Sequence, residues 1–206
     1  MNWLAHLVLS ERSPPFRVGN VLADILPIGE LRALPDAYQT GIARHRAIDA
    51  FTDKHPIFKQ SIGRLDPRYR RYGGVIMDVF YDHFLTANWH TWTAEPVEEF
   101  VAQFHADVEE CRREIPAGAY TILQRMDGGR WLTANHSIEG VRTTLGRISR
   151  RLRRPFDLGS AADDLAVHRD SLDADFGAFF PQIRSHFLDR PSVQTHLLAG
   201  SDPPTS

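Results

Sequence analysis

Apolar residues recur in this chain every three or four positions, and no stretch alternates apolar and polar residues with a sustained period of two. The first spacing places side chains on one face of an α-helix, whereas alternation is typical of a half-buried strand. The sequence therefore predicts an all-α protein. The predicted helices cover residues 2–11, 16–26, 36–54, 56–64, 73–92, 95–114, 117–126, 138–152 and 161–188.

The domain organisation follows from length and from the absence of dividing segments. A chain of 206 residues can bury one substantial core. No internal repeat, low-complexity tract or long linker interrupts the sequence. We predict a single helical bundle over residues 1–198. A flexible tail is predicted over residues 199–206, where proline and small polar residues have little to bury.

Composition restricts the classes of partner. The formal net charge is −2, so no global positive field attracts nucleic acid, and none is expected as a partner. The N-terminus has no basic region before its apolar residues and meets Glu11 and Arg12 soon after them, which predicts neither a signal peptide nor a membrane span. The single cysteine, Cys111, cannot form an internal disulfide. These features favour a soluble protein of the cytoplasm.

Two segments carry metal-binding residue types at helical spacing inside apolar sequence. His45, Asp49 and Asp53 follow one another at intervals of four, and so do Asp78 and Asp82. An interval of four returns a side chain to the same helix face one turn later. Carboxylates in apolar surroundings are costly unless a cation offsets their charge. The two stripes predict a site for Mn²⁺ or Mg²⁺, with Asp78 and Asp82 as oxygen ligands.

One cation cannot contact the whole first stripe, because three successive turns extend about 12 Å along the helix axis. His45 and Asp49 are the favoured pair. Asp53 then either supports a ligand or pairs with Arg46 or Lys54 at the helix end, and the sequence leaves both roles open. Arg46 itself either binds a substrate phosphate or pairs with one of the neighbouring acids.

Four blocks of sequence occur in an order and spacing that is typical of one protein family. The blocks are MNWLAHL at 1–7, GNVLAD at 19–24, GIxxHRxIDxxTD at 41–53 and MDxxYDHFL at 77–85. They resemble the acyl carrier protein phosphodiesterase family. The resemblance implies an enzyme that hydrolyses the phosphodiester between 4'-phosphopantetheine and a serine of holo-acyl carrier protein, with a divalent metal, usually manganese. It also implies a distant relation to the HD-type metal phosphohydrolases.

The resemblance and the stripes together give a predicted set of catalytic and metal-binding residues. Asp24 ends an apolar segment, where an acid opposes the helix dipole, and it is predicted to act as a metal ligand or general base. Arg46 is expected to stabilise charge on the phosphate, and His83 or His6 to protonate the departing serine oxygen. The predicted metal ligands are Asp24, His45, Asp49, Asp78 and Asp82. His6 or His83 could join them as a further ligand, and His6 can equally be a hydrogen-bonded core histidine.

The remaining predictions concern substrate binding. Asn20 lies one turn before Asp24 and could orient that acid, hydrogen-bond the phosphate, or satisfy nearby backbone. Five arginines occur between Arg147 and Arg154, and Arg150 and Arg151 are expected to dock the acidic acyl carrier protein that the resemblance implies. An arginine-rich helix end can also be an ordinary solvated face.

Two other functions remain open at this stage. The first is an HD-like phosphohydrolase of a nucleotide or small phosphoester, which would share every metal residue. The second is a non-catalytic helical module that binds carrier protein. A di-iron carboxylate oxidase is disfavoured because the chain contains no Glu-x-x-His pair.

Overall fold

The structure is a computed structural model in which residues 3–125 and 134–189 are described. Within these ranges all regular elements are helical and share one core, which confirms the predicted all-α fold. The α-helices are α1 (Trp3–Val8), α2 (Pro14–Leu22), α3 (Ile28–Ala33), α4 (Asp36–Lys54), α5 (Pro56–Gly63), α6 (Gly73–Ala87), α7 (Trp89–Trp92), α8 (Val97–Glu110), α9 (Ala117–Arg125), α10 (Ile138–Ser149), α11 (Ala162–Val167) and α12 (Arg169–Leu188). Short 3₁₀ segments cover Pro67–Tyr72, Cys111–Arg113, Ala134–His136 and Gly159–Ala161.

The helix predictions were right about most positions and wrong about several ends. The predicted helix at 36–54 has the bounds of α4, but the predicted helices at 73–92 and 161–188 are each divided in two. Helix α3 was missed, because six residues after a proline show too little periodicity. Helix α2 starts at Pro14 rather than at residue 16, since proline fits the first turn of a helix. The predicted tail at 199–206 lies outside the described residues.

Two glycines allow α2 and α4 to pack with their backbones in close approach. A methyl group on Gly41 would overlap the carbonyl oxygen of Phe16, and one on Gly19 would lie 2.5 Å from the carbonyl oxygen of Tyr38. Neither helix could therefore come so near with any larger residue at these positions. The close approach brings the C-terminal end of α2 to the middle of α4, where His45 lies.

Aromatic side chains fill the other side of the bundle. Tyr81 of α6 lies 5.4 Å, ring centre to ring centre, from Phe58 of α5 and 5.3 Å from both Phe176 and Phe179 of α12. All four rings are buried. The resulting core fixes α6 and α12 against the remainder of the bundle. Among the described residues, we find no helix with both the length and the apolar character needed to cross a membrane.

We expect Gly41→Ala to destabilise the protein, because the added methyl group must force α2 and α4 apart. The expected cost is about 1–3 kcal/mol, the usual range for overpacking a core. Urea unfolding would measure it. The control is Gly177→Ala on α12, where nothing lies within 4 Å of the added methyl group and alanine should instead stabilise the helix by about 0.5–1 kcal/mol. Equal stabilisation by both changes would contradict the close approach.

Candidate active site

Two histidines and two aspartates from three segments meet beside the crossing of α2 and α4. His6 comes from α1, Asp24 from the turn after α2, and His45 and Asp49 from successive turns of α4. His45 Nε2 lies 3.1 Å from an oxygen of Asp24 and 3.1 Å from an oxygen of Asp49. His6 Nε2 lies 3.2 Å from the other Asp49 oxygen. We call these four residues the histidine–aspartate centre.

Burial differs sharply within the histidine–aspartate centre. The side chain of His6 is fully buried and that of His45 is 5% exposed, whereas Asp49 is 39% and Asp24 47% exposed. The two imidazole rings stack, with ring centres 4.0 Å apart and planes inclined by 15°. The histidines therefore form the floor of the site, and the carboxylates form its open side.

Asn20 of α2 orients both histidines. Its side-chain oxygen lies 3.1 Å from Nδ1 of His6 and 3.2 Å from Nδ1 of His45. An amide oxygen can only accept hydrogen bonds, so each Nδ1 must carry the donated proton. The amide nitrogen donates to the His6 carbonyl oxygen at 3.2 Å and to Ser10 Oγ at 2.7 Å, which determines the orientation of the amide. Both Nε2 atoms consequently point towards the carboxylates.

The electrostatics of the histidine–aspartate centre follow from these contacts. Burial lowers the pKa of His6 to about 4. Burial alone would also lower the pKa of His45, but hydrogen bonds to Asp24 and Asp49 outweigh it and raise that pKa to about 9. Burial would raise the pKa values of Asp24 and Asp49, yet hydrogen bonding to His45 keeps both below their ordinary values. The carboxylates are thus ionised at neutral pH.

The donor set suits a divalent cation. One ligand atom each from His6, His45 and Asp49 lies within 4.8 Å of the others. His6 Nε2 is buried and makes no aligned hydrogen bond, although a carboxylate oxygen is 3.2 Å away. With a proton on Nδ1, the Nε2 lone pair faces the Asp49 oxygen, and a cation shared by the two would remove their repulsion. Imidazole nitrogen with carboxylate oxygen is a ligand set that Mn²⁺ accepts.

The second predicted stripe lies on α6. Asp82 is buried, and Asn135 donates a 2.8 Å hydrogen bond to its Oδ2. His83 is also buried, with Nδ1 2.7 Å from the carbonyl oxygen of Asn135. Burial raises the pKa of Asp78, and the charges of Asp49 and Asp53 raise it further. Asp78 therefore lies within electrostatic range of the α4 acids, and Asp82 and His83 form hydrogen bonds to Asn135 in the 3₁₀ segment at residues 134–136.

The other predicted site residues are distributed as follows. Arg46 is exposed on α4, one position after His45, and Asp53 is exposed one turn after Asp49. Asn20 is fully buried and both ends of its amide are used inside the protein, so its position suits orientation of the histidines better than contact with a substrate. Arg150 and Arg151 are exposed just after α10.

Sequence reasoning missed two supporting residues. The indole nitrogen of Trp3 donates a 2.9 Å hydrogen bond to Asp24 Oδ2, on the side of the carboxylate away from His45. Ser10 Oγ donates to the His6 carbonyl oxygen at 2.8 Å while it accepts from Asn20. Trp3 lies in the first sequence block, which offered a signal. Ser10 follows that block and offered none.

A comparison with models of protein families assigns the chain to one family. The model of acyl carrier protein phosphodiesterase matches residues 1–183. The chain belongs to this family. It is 31% identical to the acyl carrier protein phosphodiesterase of Enterobacter sp. (strain 638) over 184 residues, which cover 89% of this chain and 95% of that protein. The relatives of the same name from Klebsiella pneumoniae (strain 342) and Escherichia coli O139:H28 are 29% and 28% identical with the same coverage. No solved structure matches the chain.

We expect the proton of neutral His6 to reside on Nδ1, because the Asn20 oxygen accepts it there. In Asn20→Leu that acceptor is lost, and the proton should move to Nε2, where Asp49 can accept it. Long-range ¹H–¹⁵N correlation spectra of the metal-free protein distinguish the two tautomers. Ser10→Ala is the control, since it removes a support of the amide but keeps the amide oxygen. A wild-type His6 with its proton on Nε2 would contradict the role of Asn20.

Proposed function

We propose that this protein hydrolyses the phosphodiester of holo-acyl carrier protein and releases 4'-phosphopantetheine and apo-acyl carrier protein. The observation that carries the proposal is the meeting of His6, His45, Asp24 and Asp49 at a partly exposed site in a member of the acyl carrier protein phosphodiesterase family. The family and its named relatives favour this substrate over a nucleotide, and a catalytic site over a binding module.

The proposal includes a divalent cation, Mn²⁺ or Mg²⁺. His6, His45, Asp49 and Asp24 would hold it, and the Asp78 carboxyl group lies within electrostatic range of Asp49. Such a cation lowers the pKa of a bound water and offsets the charge of the phosphodiester. The protein contributes orientation: Asn20 directs both Nε2 atoms to one side, and Trp3 holds Asp24 through the oxygen that His45 does not contact.

The protein's side chains differ in access to the substrate. Asp24 is nearly half exposed and stays ionised, which suits either of its predicted roles as ligand or general base. Arg46 is exposed one position after His45, where a guanidinium can bind phosphate oxygens. His6 and His83 are buried, so neither is well placed to protonate a departing serine oxygen. We propose His6 as a ligand and His83 as a structural residue.

Carrier-protein docking is proposed for the arginines at the end of α10. Arg147, Arg150, Arg151, Arg153 and Arg154 are all exposed, at the last turn of the helix and in the segment that follows. A concentrated positive surface steers an acidic partner and raises its association rate. We also propose a reducing cytoplasmic setting, which the buried, unpaired Cys111 supports.

The activity is tested by incubating the purified protein with holo-acyl carrier protein and Mn²⁺ and weighing the carrier protein by mass spectrometry. The expected product has lost 4'-phosphopantetheine. A nucleotide phosphoester is offered in parallel. Turnover of the nucleotide with intact carrier protein would overturn the proposed substrate.

Asp49→Asn should abolish most of the activity while the helical fold survives. Changes in residues that only support a metal ligand cost about 10- to 100-fold, so loss of a ligand should lower kcat/KM at least about 100-fold. Calorimetric titration should show weaker Mn²⁺ binding, and circular dichroism should be unchanged. Asp53→Asn, one turn further along α4 and exposed, is the control with near-normal activity. Full activity of Asp49→Asn would remove the histidine–aspartate centre from the reaction.

Reversal of two docking charges, Arg150→Glu with Arg151→Glu, should slow association with carrier protein. The association rate of the wild-type protein should itself fall with added salt, because salt screens the attraction between the charged surfaces. Hydrolysis of a small phosphodiester should stay within about twofold, because the chemistry is untouched. Stopped-flow association rates test the first part. Arg70→Glu with Arg71→Glu reverses two other exposed charges. An equal slowing by both pairs would mean that the whole surface, rather than the end of α10, sets the rate.

A further inference from the structure

Helix α1 is the shortest of the helices that supply the histidine–aspartate centre. It has six residues, yet it brings His6 to Asp49 and Trp3 to Asp24. A helix this short is not stable alone, because the entropy lost in forming the first turn outweighs the few hydrogen bonds gained. The position of His6 therefore depends on the contacts that hold α1 against its neighbours.

Arg44 joins the C-terminal end of α1 to α4. The last carbonyl oxygens of a helix have no partner within the helix and need one from outside. Arg44 Nη1 donates a 3.0 Å hydrogen bond to the carbonyl oxygen of Leu9, the residue directly after α1. Because Arg44 directly precedes His45 on α4, this bond attaches the end of α1 beside the residue on which the His6 ring stacks.

The guanidinium of Arg44 is itself held at a junction of helices. Its side chain is only 16% exposed, and Nη1 also donates a 3.1 Å hydrogen bond to the carbonyl oxygen of Phe187 in the last turn of α12. The guanidinium carbon lies 5.3 Å from the ring centres of both Phe16 and Phe187, and Nη2 lies 3.6 Å from a carboxylate oxygen of Glu11. A cation beside the carbonyl ends of α1 and α12 is also favoured by the helix dipoles. These contacts fix the point to which Leu9 is tied.

The Arg44–Leu9 hydrogen bond is linked to the histidines through Ser10. The Leu9 carbonyl group and the Ser10 amide group belong to one planar peptide unit. Ser10 Oγ donates to the His6 carbonyl oxygen at 2.8 Å and accepts from Asn20 Nδ2 at 2.7 Å. The Asn20 side-chain oxygen in turn contacts Nδ1 of both histidines. A shift of the Leu9 carbonyl group would therefore move Ser10 and the two groups that its hydroxyl contacts.

Arg44 lies outside the residues that the four sequence blocks single out. It occupies an open position of the block GIxxHRxIDxxTD, and as the neighbour of His45 it lies about 100° away around the helix axis. Its hydrogen bonds go to the backbone at Leu9 and Phe187. Arg46, by contrast, is exposed and is proposed to bind phosphate. The two arginines on either side of His45 therefore have different roles, one in the fold of the site and one towards the substrate.

We propose that Arg44 is a positioning residue of the active site. It holds the end of α1 so that the His6 ring stays stacked on His45, with Nε2 towards Asp49. Lysine cannot take its place, because the lysine nitrogen ends one bond short of Nη1 and lacks the planar fork of a guanidinium. The role in catalysis rests on the proposed function, whereas the geometry can be measured without turnover.

NMR spectra of the metal-free protein test the geometry directly. The rings of His6 and His45 are stacked, so each ring shifts the proton signals of the other, and separation of the rings moves both sets of signals. We expect this movement in Arg44→Met. Arg64→Met is the matched control, because Arg64 is also partly buried, at 31% exposed, but its ion pair with Asp175 joins the end of α5 to α12 and does not involve α1. The histidine signals should stay in place in that variant.

Metal binding and turnover give two further measurements. Calorimetric titration should show that Arg44→Met binds Mn²⁺ about 10- to 100-fold more weakly, the scale found for residues that support metal ligands. The kcat/KM for holo-acyl carrier protein should fall by a similar factor. Arg64→Met should keep the wild-type values of both.

Arg44→Lys keeps the test decisive if Arg44→Met fails to fold, because it retains the positive charge and loses only the reach and the fork. Both histidine signals should move and Mn²⁺ affinity should fall in this variant too. Wild-type signals or wild-type Mn²⁺ affinity in a folded Arg44 variant would overturn the positioning role. Equal movement of the signals in Arg64→Met would also overturn it, since that result indicates a general loss of stability. If the signals move in Arg44→Met but the wild-type protein leaves holo-acyl carrier protein intact, the positioning role stands and the proposed function fails.

Discussion

The close packing of α2 against α4 is the constraint on which the candidate active site depends. At Gly19 and Gly41 the two backbones are nearer than any side chain would allow. Asn20 directly follows the first glycine, and His45 lies one turn after the second, so the same contact that joins the helices also sets the distance between amide and imidazole. A shift of the helices would separate Asp24 from His45 as well.

The second layer of organisation is polar and fully buried. Asn20 accepts from two histidines and donates to the His6 carbonyl oxygen and to Ser10, and so no atom of its amide is left for a substrate. This chain of hydrogen bonds turns two imidazoles in one direction before any cation binds. Residues beyond the direct ligands commonly tune metal sites in this way, through tautomer and orientation. The exposed carboxylates then supply charge where a phosphodiester can reach it.

The protein separates its charges by function. The histidine–aspartate centre is anionic, whereas the end of α10 is cationic and exposed. A nearly neutral total charge conceals these local fields. Steering of an acidic protein and binding of a cation can thus occupy different surfaces of one helical domain.

The sequence by itself determined the helical class, the bounds of α4, and the family, through four blocks whose order and spacing are independent of packing. It also placed His45 and Asp49 on one helix face, since an interval of four is a local property of the helix. It could not show that Asp24 and His6 join that face, or that Asp82 and His83 hydrogen-bond to Asn135, because these contacts link distant segments. The role of Ser10 and the division of residues 73–92 and 161–188 were likewise decided only by tertiary structure. Periodicity specifies which face a residue lies on, but only packing specifies what that face meets.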